Sequence, residues 1–196
     1  MTLKRKECLL PKTKLKTEEG KIQWVAGMFF LLLLTVLLCA ELQRSVWHAA
    51  SLYLEDALAA SNLASAVIDV EEYGISHTVR ITNVWEAYER YKEAVKGNLQ
   101  LNDNWECSNS ALISGPVAIE EYIVYNVDAS GVQSYRITAE EGITVTEAVA
   151  GSVRAPNGTL ITATSVYSEI SFPVRGFRGM VFRAHKGKLV DIVACE

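Results

Sequence analysis

The side chains able to do chemistry in this chain are few and scattered. Its three histidines are His48, His77 and His185. A metal or proton-transfer site needs several such groups at short, regular spacing. None of the three has a neighbour at metal-ligand or triad spacing. They read as packing or solvent-exposed residues, with His77 in an expected strand and His185 in an expected hairpin turn. Acidic pairs stand at Glu71-Glu72, Glu120-Glu121 and Glu140-Glu141. Paired carboxylates could bind calcium or share acid–base work, but no glycine-centred ligand loop surrounds them. Neighbours in a strand point to opposite faces, so Glu120 and Glu121 are expected to diverge. The pairs read as surface solvation. There is no phosphate-binding loop, and the net charge of −4 leaves no basic stripe for nucleic acid. The chain is therefore expected to be no enzyme, to carry no catalytic, cofactor or metal site, and to bind no nucleic acid.

The strongest signal is physical rather than chemical. Between Trp24 and Ala40 there is no charged residue, and the run reads WVAGMFFLLLLTVLLCA. A helix needs about 20 mostly apolar residues to cross a bilayer. Residues 22–40 meet that length when nearly upright. The preceding residues carry Lys4, Arg5, Lys6, Lys12, Lys14, Lys16 and Lys21 against Glu7, Glu18 and Glu19. Basic flanks stay on the cytoplasmic side. The expected topology is a single pass through the cell membrane, with residues 1–21 a cytoplasmic basic leader and the rest extracellular. Trp24 and Trp47 suit the two interfaces. A cleaved signal peptide is the rival reading, but Leu38 occupies the position where its cleavage site wants a small residue.

Helical periodicity continues past Ala40. Apolar residues recur at three- and four-residue spacing from Leu42 to Ile68, with no Gly or Pro before Gly74. One helix over roughly residues 23–71 is expected. Its Ala-rich stretch, residues 49–64, is the natural cover for a sheet. A strand at 75–81, a second helix around Trp85, Tyr88, Tyr91, Ala94 and Val95, and a loop at 98–116 should follow. From Val117 the pattern becomes β-rich. Strands are expected at 118–127, 132–138, 143–148, 152–155, 160–167 and 169–172, with Pro173 ending a run. A last hairpin is expected around residues 185–187. The fold class is α+β, a long N-terminal helix packed on a largely antiparallel sheet. The organisation is a leader (1–21), a transmembrane helix (22–40), its outer continuation (41–73), a strand, helix and loop (74–116) and a β-rich head (117–196).

The cysteines divide by compartment under this topology. Cys8 falls inside and Cys39 in the membrane. Cys107 and Cys195 fall outside, where they either form a disulfide or remain free thiols. Asn157-Gly158-Thr159 matches a glycosylation acceptor, but after Pro156 it reads as a turn.

The layout resembles the pilin-like proteins of type IV filament systems, and within them the TadE-type pseudopilins of Tad (Flp) pilus loci. A basic leader ends in Glu18-Glu19-Gly20, an apolar segment follows, and that segment continues into a β-rich head. The resemblance implies cutting by a membrane-embedded prepilin peptidase between Gly20 and Lys21. It also implies that the helix packs against like helices, where Gly27 permits close approach. The partners implied are the bilayer, other pilin-like subunits and the pilus assembly machinery. The family's Glu five residues past the cut is Val25 here. That favours a minor subunit or assembly component over a repeating major subunit. The alternative is a membrane-tethered extracellular domain that binds a ligand or partner and never assembles.

Overall fold

The computed structural model describes residues 13–107, 113–138, 142–175 and 180–192. Helix α1 spans Thr13–Ser65, α2 Val70–Ser76 and α3 Val84–Asn98. Strands follow at Ala118–Asp128 (β1), Gly131–Thr138 (β2), Gly142–Ala148 (β3), Ser165–Arg175 (β4) and Val181–Asp191 (β5). The chain divides into two compact units, Met1–His48 and Ala49–Glu196. In the first, the described residues form the N-terminal part of α1. The second holds the remaining elements. The class is α+β, as the periodicities require.

The five strands form one antiparallel sheet in the order β3-β2-β1-β4-β5. Both faces of its centre are covered. One face packs on the last turns of α1 and on α3. There Leu54, Ala57 and Leu58 of α1, and Val84, Ala87, Tyr91 and Val95 of α3, join Tyr122, Val124, Ile137, Val166, Ile170 and Phe172. The opposite face buries Ile123, Tyr125, Val132 and Tyr167 against Ala155 and Ile161 from the β3–β4 connection. Central strands buried on both sides explain why β1 carries the dense apolar run YIVY without clean alternation and why β4 buries Ser165, Ser168 and Ser171 among its apolar residues.

The docking stripe of α1 is Leu54, Ala57, Leu58, Ser61, Asn62 and Ser65. Its three polar members fall at the same helical spacing as the apolar ones, and apolar periodicity alone does not find them. Ala49, Ala60 and Ala64 of the expected face are exposed. The Ser65 hydroxyl donates to Asn62 O at 2.7 Å, and Val67 N–H turns back to Ser65 O at 2.8 Å. The helix therefore ends six residues earlier than expected.

Several further expectations are corrected by local chemistry. The segment expected as a strand from Ile75 begins in the last two residues of α2 and forms no strand beyond it; the N-cap of α2, Asp69, accepts from Glu71 N–H and Glu72 N–H. An Asp followed three residues on by Glu is a helix-start signal. His77 ends that helix in the left-handed conformation, at φ 54°. Residues 152–155 form no strand; Arg154 and Leu160 make an isolated bridge. Residues 165–175 form one strand through Pro173. Pro173 O accepts from Ser114 N–H at 2.9 Å, on the side where β1 has already ended. Its missing N–H therefore costs no ladder bond. The expected last hairpin is one strand, β5, and His185 lies within it opposite Ser171. Gly187 in that strand lies under the Tyr167 ring, where an added Cβ would sit 2.9 Å from Cζ. The glycine that suggested a turn makes room for a tyrosine. On α3, the buried side is Val84, Ala87, Tyr91 and Val95, and Trp85 faces solvent.

Truncating the α1 stripe should test this packing. Leu58→Ala is expected to cost about 2–5 kcal/mol in denaturant unfolding. Leu52→Ala, at an exposed position on the same helix, should leave the transition nearly in place.

Candidate functional site

The apolar segment of α1 is built as lipid would require. From Ile22 to Leu38 its large apolar side chains are exposed. It is the one helix among the described residues long and apolar enough to cross a membrane. Thr35 donates its hydroxyl to Leu31 O at 2.8 Å, so this polar side chain is satisfied within the helix. An added Cβ on Gly27 would meet nothing within 4 Å, so its flank is open to close approach. Helix α1 begins at Thr13, and Gly20 and Lys21 lie inside it rather than before it.

The candidate residues outside this segment remain apart. His48 lies exposed on α1, and His77 packs edge-on against Tyr73. His185 Nδ1 lies 3.5 Å from Glu169. No group of three His, Cys, Asp or Glu side chains among the described residues could hold a metal ion. Glu71 and Glu72 sit in the first turn of α2, and Glu72 lies 3.7 Å from Arg80. Cys107 donates its Sγ–H to Leu99 O at 3.4 Å. Cys195 and the Glu140-Glu141 pair lie outside the described residues, as does Cys8. Asn157 is part of an exposed turn, its Oδ1 accepting from Thr159 N–H at 3.0 Å.

One polar seam was not legible in advance. The pairing of β1 with β4 shifts between Ile119 and Glu121. This bulge lets Glu120 and Glu121 both find basic partners, against the expected divergence. Glu120 lies 3.9 Å from Arg183, and Glu121 lies 2.9 Å from Arg136. Glu121 also stands directly opposite Glu169, which accepts from Tyr167 O–H at 2.9 Å. Burial raises the Glu121 carboxyl above its ordinary range; Arg136 pulls it down and Glu169 pushes it up. Neighbouring Tyr125 is pushed up to about 12, chiefly by burial. The seam sets two carboxylates, Glu121 and Glu169, side by side, with Arg136 next to the first and His185 next to the second, and Tyr125 and Tyr167 are buried beside them.

No family model matches the chain, and no curated protein or solved structure matches it either.

The buried phenols set an alkaline limit on the head. Tyr91, Tyr122 and Tyr167 are also raised, first by burial. An unfolded phenol ionises near pH 10 while these stay protonated. Their contribution is complete below that pH and is lost as pH rises towards the folded values. Denaturant melts at stepped pH should show stability falling above about pH 10, and Tyr125→Phe should make that fall shallower.

Proposed function

We propose that this chain is a membrane-anchored, pilin-like subunit of the TadE type. It serves as a minor subunit or assembly component of a type IV or Tad pilus, or a related secretion system. It acts through contacts rather than catalysis. The observation that carries this reading is that one helix supplies two things. Its first part is exposed and apolar over a membrane-spanning length, and its last turns are the buried spine of the head. A plain tether needs only a span and a linker. A helix continuous with the head's own core suits a subunit whose membrane segment and head are used together.

The basic leader supports an orientation with residues 1–21 in the cytoplasm and the head outside. Val25 supports a role beside the main polymer, because no carboxylate in the span seeks a partner. Gly27 is the point of closest helix approach, and Gly20-Lys21 is the candidate peptidase cut.

Two measurements test the reading. Gly27→Cys, oxidised in the membranes of the native host, should yield cross-links to like chains or other pilin-like helices. A chain that stays uncross-linked throughout 22–60 would be a tethered binding domain instead. Intact-mass analysis of the native protein should show a start at Lys21. Retention of residues 1–20 would remove the processing claim and leave the anchor.

A further inference from the structure

Among the described residues the sheet ends in two edges with no further strand, and their chemistry differs. At the β3 edge the sequence is Gly-Ile-Thr-Val-Thr-Glu-Ala, exposed along nearly its whole length. It carries no Pro and no Lys or Arg, and its pairing with β2 is regular. Those are the usual devices that keep an edge from pairing. Ile143 and Val145 are 44% and 50% exposed. At the other edge, β5 exposes Val181 and Phe182 at its start and is basic further on, with Arg183, Lys186 and Lys188.

Backbone direction decides which pairing is possible. Ala148 O lies against Gly131, so Ala148 turns its polar groups towards β2. Alternation then turns those of Ile143, Val145 and Glu147 outward. On β5, Ile192 N–H donates to Thr164 O at 2.8 Å on the β4 side. Arg183, His185 and Gly187 therefore turn theirs outward. In a parallel pair, a residue that reaches across lies beside one that points away, bonding to its two neighbours. Val145 of β3 can thus lie beside Ala184 of a β5 strand, bonded to Arg183 O and His185 N–H.

In that register the side chains match. Ile143, Val145 and Glu147 stand opposite Ile137, Tyr135 and Gln133, on the helix-covered face. Phe182, Ala184 and Lys186 share that face, opposite Val174, Phe172 and Ile170. Ile143 would lie beside Phe182, Val145 beside Ala184, and Glu147 beside Lys186. Lys186 and Lys188 both approach the single carboxylate of Glu55. Two cations on one anion leave positive charge, while Glu147 hydrogen-bonds the neutral Gln133 amide.

We propose that the β3 edge binds the β5 edge of a second copy of this chain, in parallel, extending the sheet from head to head. The contact joins different surfaces on the two copies, so a short run of this chain can form beside the main polymer. The inference rests on the assembly reading above and names its head contact.

The test uses two full-length single variants made together in membranes, Ile143→Cys in one copy and Phe182→Cys in the other, joined by a short thiol cross-linker. A mixed product, absent when either variant is made alone, is expected. Adding Glu147→Lys to the first copy should cause its loss. The pair Val145→Cys and Ala184→Cys repeats the test if a first variant fails to fold. Self-linking of Ile143→Cys, or survival of the product with Glu147→Lys, would overturn this register. No product from either pair while Gly27→Cys still cross-links would overturn the edge contact alone. Loss of both would overturn the assembly reading too.

Discussion

Asn62 has no exposed surface, and its amide lies over the gap between β4 and β5. It donates to Lys188 O at 2.8 Å and to Val166 O at 3.4 Å. Both carbonyls already belong to the sheet ladder, so the helix is tied to the backbone of two strands rather than to replaceable side chains. A buried amide without such partners costs about 1–3 kcal/mol. Sliding α1 by one turn would impose that cost and remove Ser65 from the Tyr122 hydroxyl, now 2.9 Å away. Apolar burial supplies attraction between helix and sheet, and this amide makes one register better than its neighbours.

Other contacts rest on that register. Lys186 reaches Ser51 and Glu55 only while those turns of α1 lie over β5. Asn98 at the end of α3 donates to Ser61 Oγ at 2.9 Å, and its carbonyl accepts from the Tyr53 hydroxyl. Tyr91, Tyr122 and Tyr88 then stack in a tilted series above the sheet centre. On the same helix-covered face, the Asn126 side chain clamps Ile81 through both its N–H and its C=O. Each of these polar groups sits among apolar ones, where an unpaired partner would be expensive and a paired one is selective.

Much of this architecture was readable from residue order. The uncharged run before Glu41, the turn at Asp128–Gly131 and the dense apolar character of β1 follow from local rules. What was not readable came from tertiary context overriding those rules. His185-Lys186-Gly187 has turn composition, yet Lys186 and the following Lys188 both approach Glu55 and the glycine clears a tyrosine ring, which holds the segment extended. Pro173 ends strands in general, but here its nitrogen faces a place where no strand remains. Glu120 and Glu121 alternate in an ideal strand, and a single bulge removes that alternation. Ser61, Asn62 and Ser65 hid the docking stripe because polarity usually marks the solvent face. For the candidate site, the exposed apolar helix was plain from composition. The matched edges of the sheet needed strand order and backbone direction, which composition does not contain.

The polarity of that stripe also bears on how the chain is made. The machinery that inserts nascent chains partitions each helical segment by its hydrophobicity as it emerges. A helix whose whole length was apolar would offer that machinery several competing stretches to leave in lipid. Ser61, Asn62 and Ser65 deny it the later ones. The groups that fix the helix on its sheet therefore also keep its later turns too polar to compete with residues 22–40, the stretch of α1 suited to lipid.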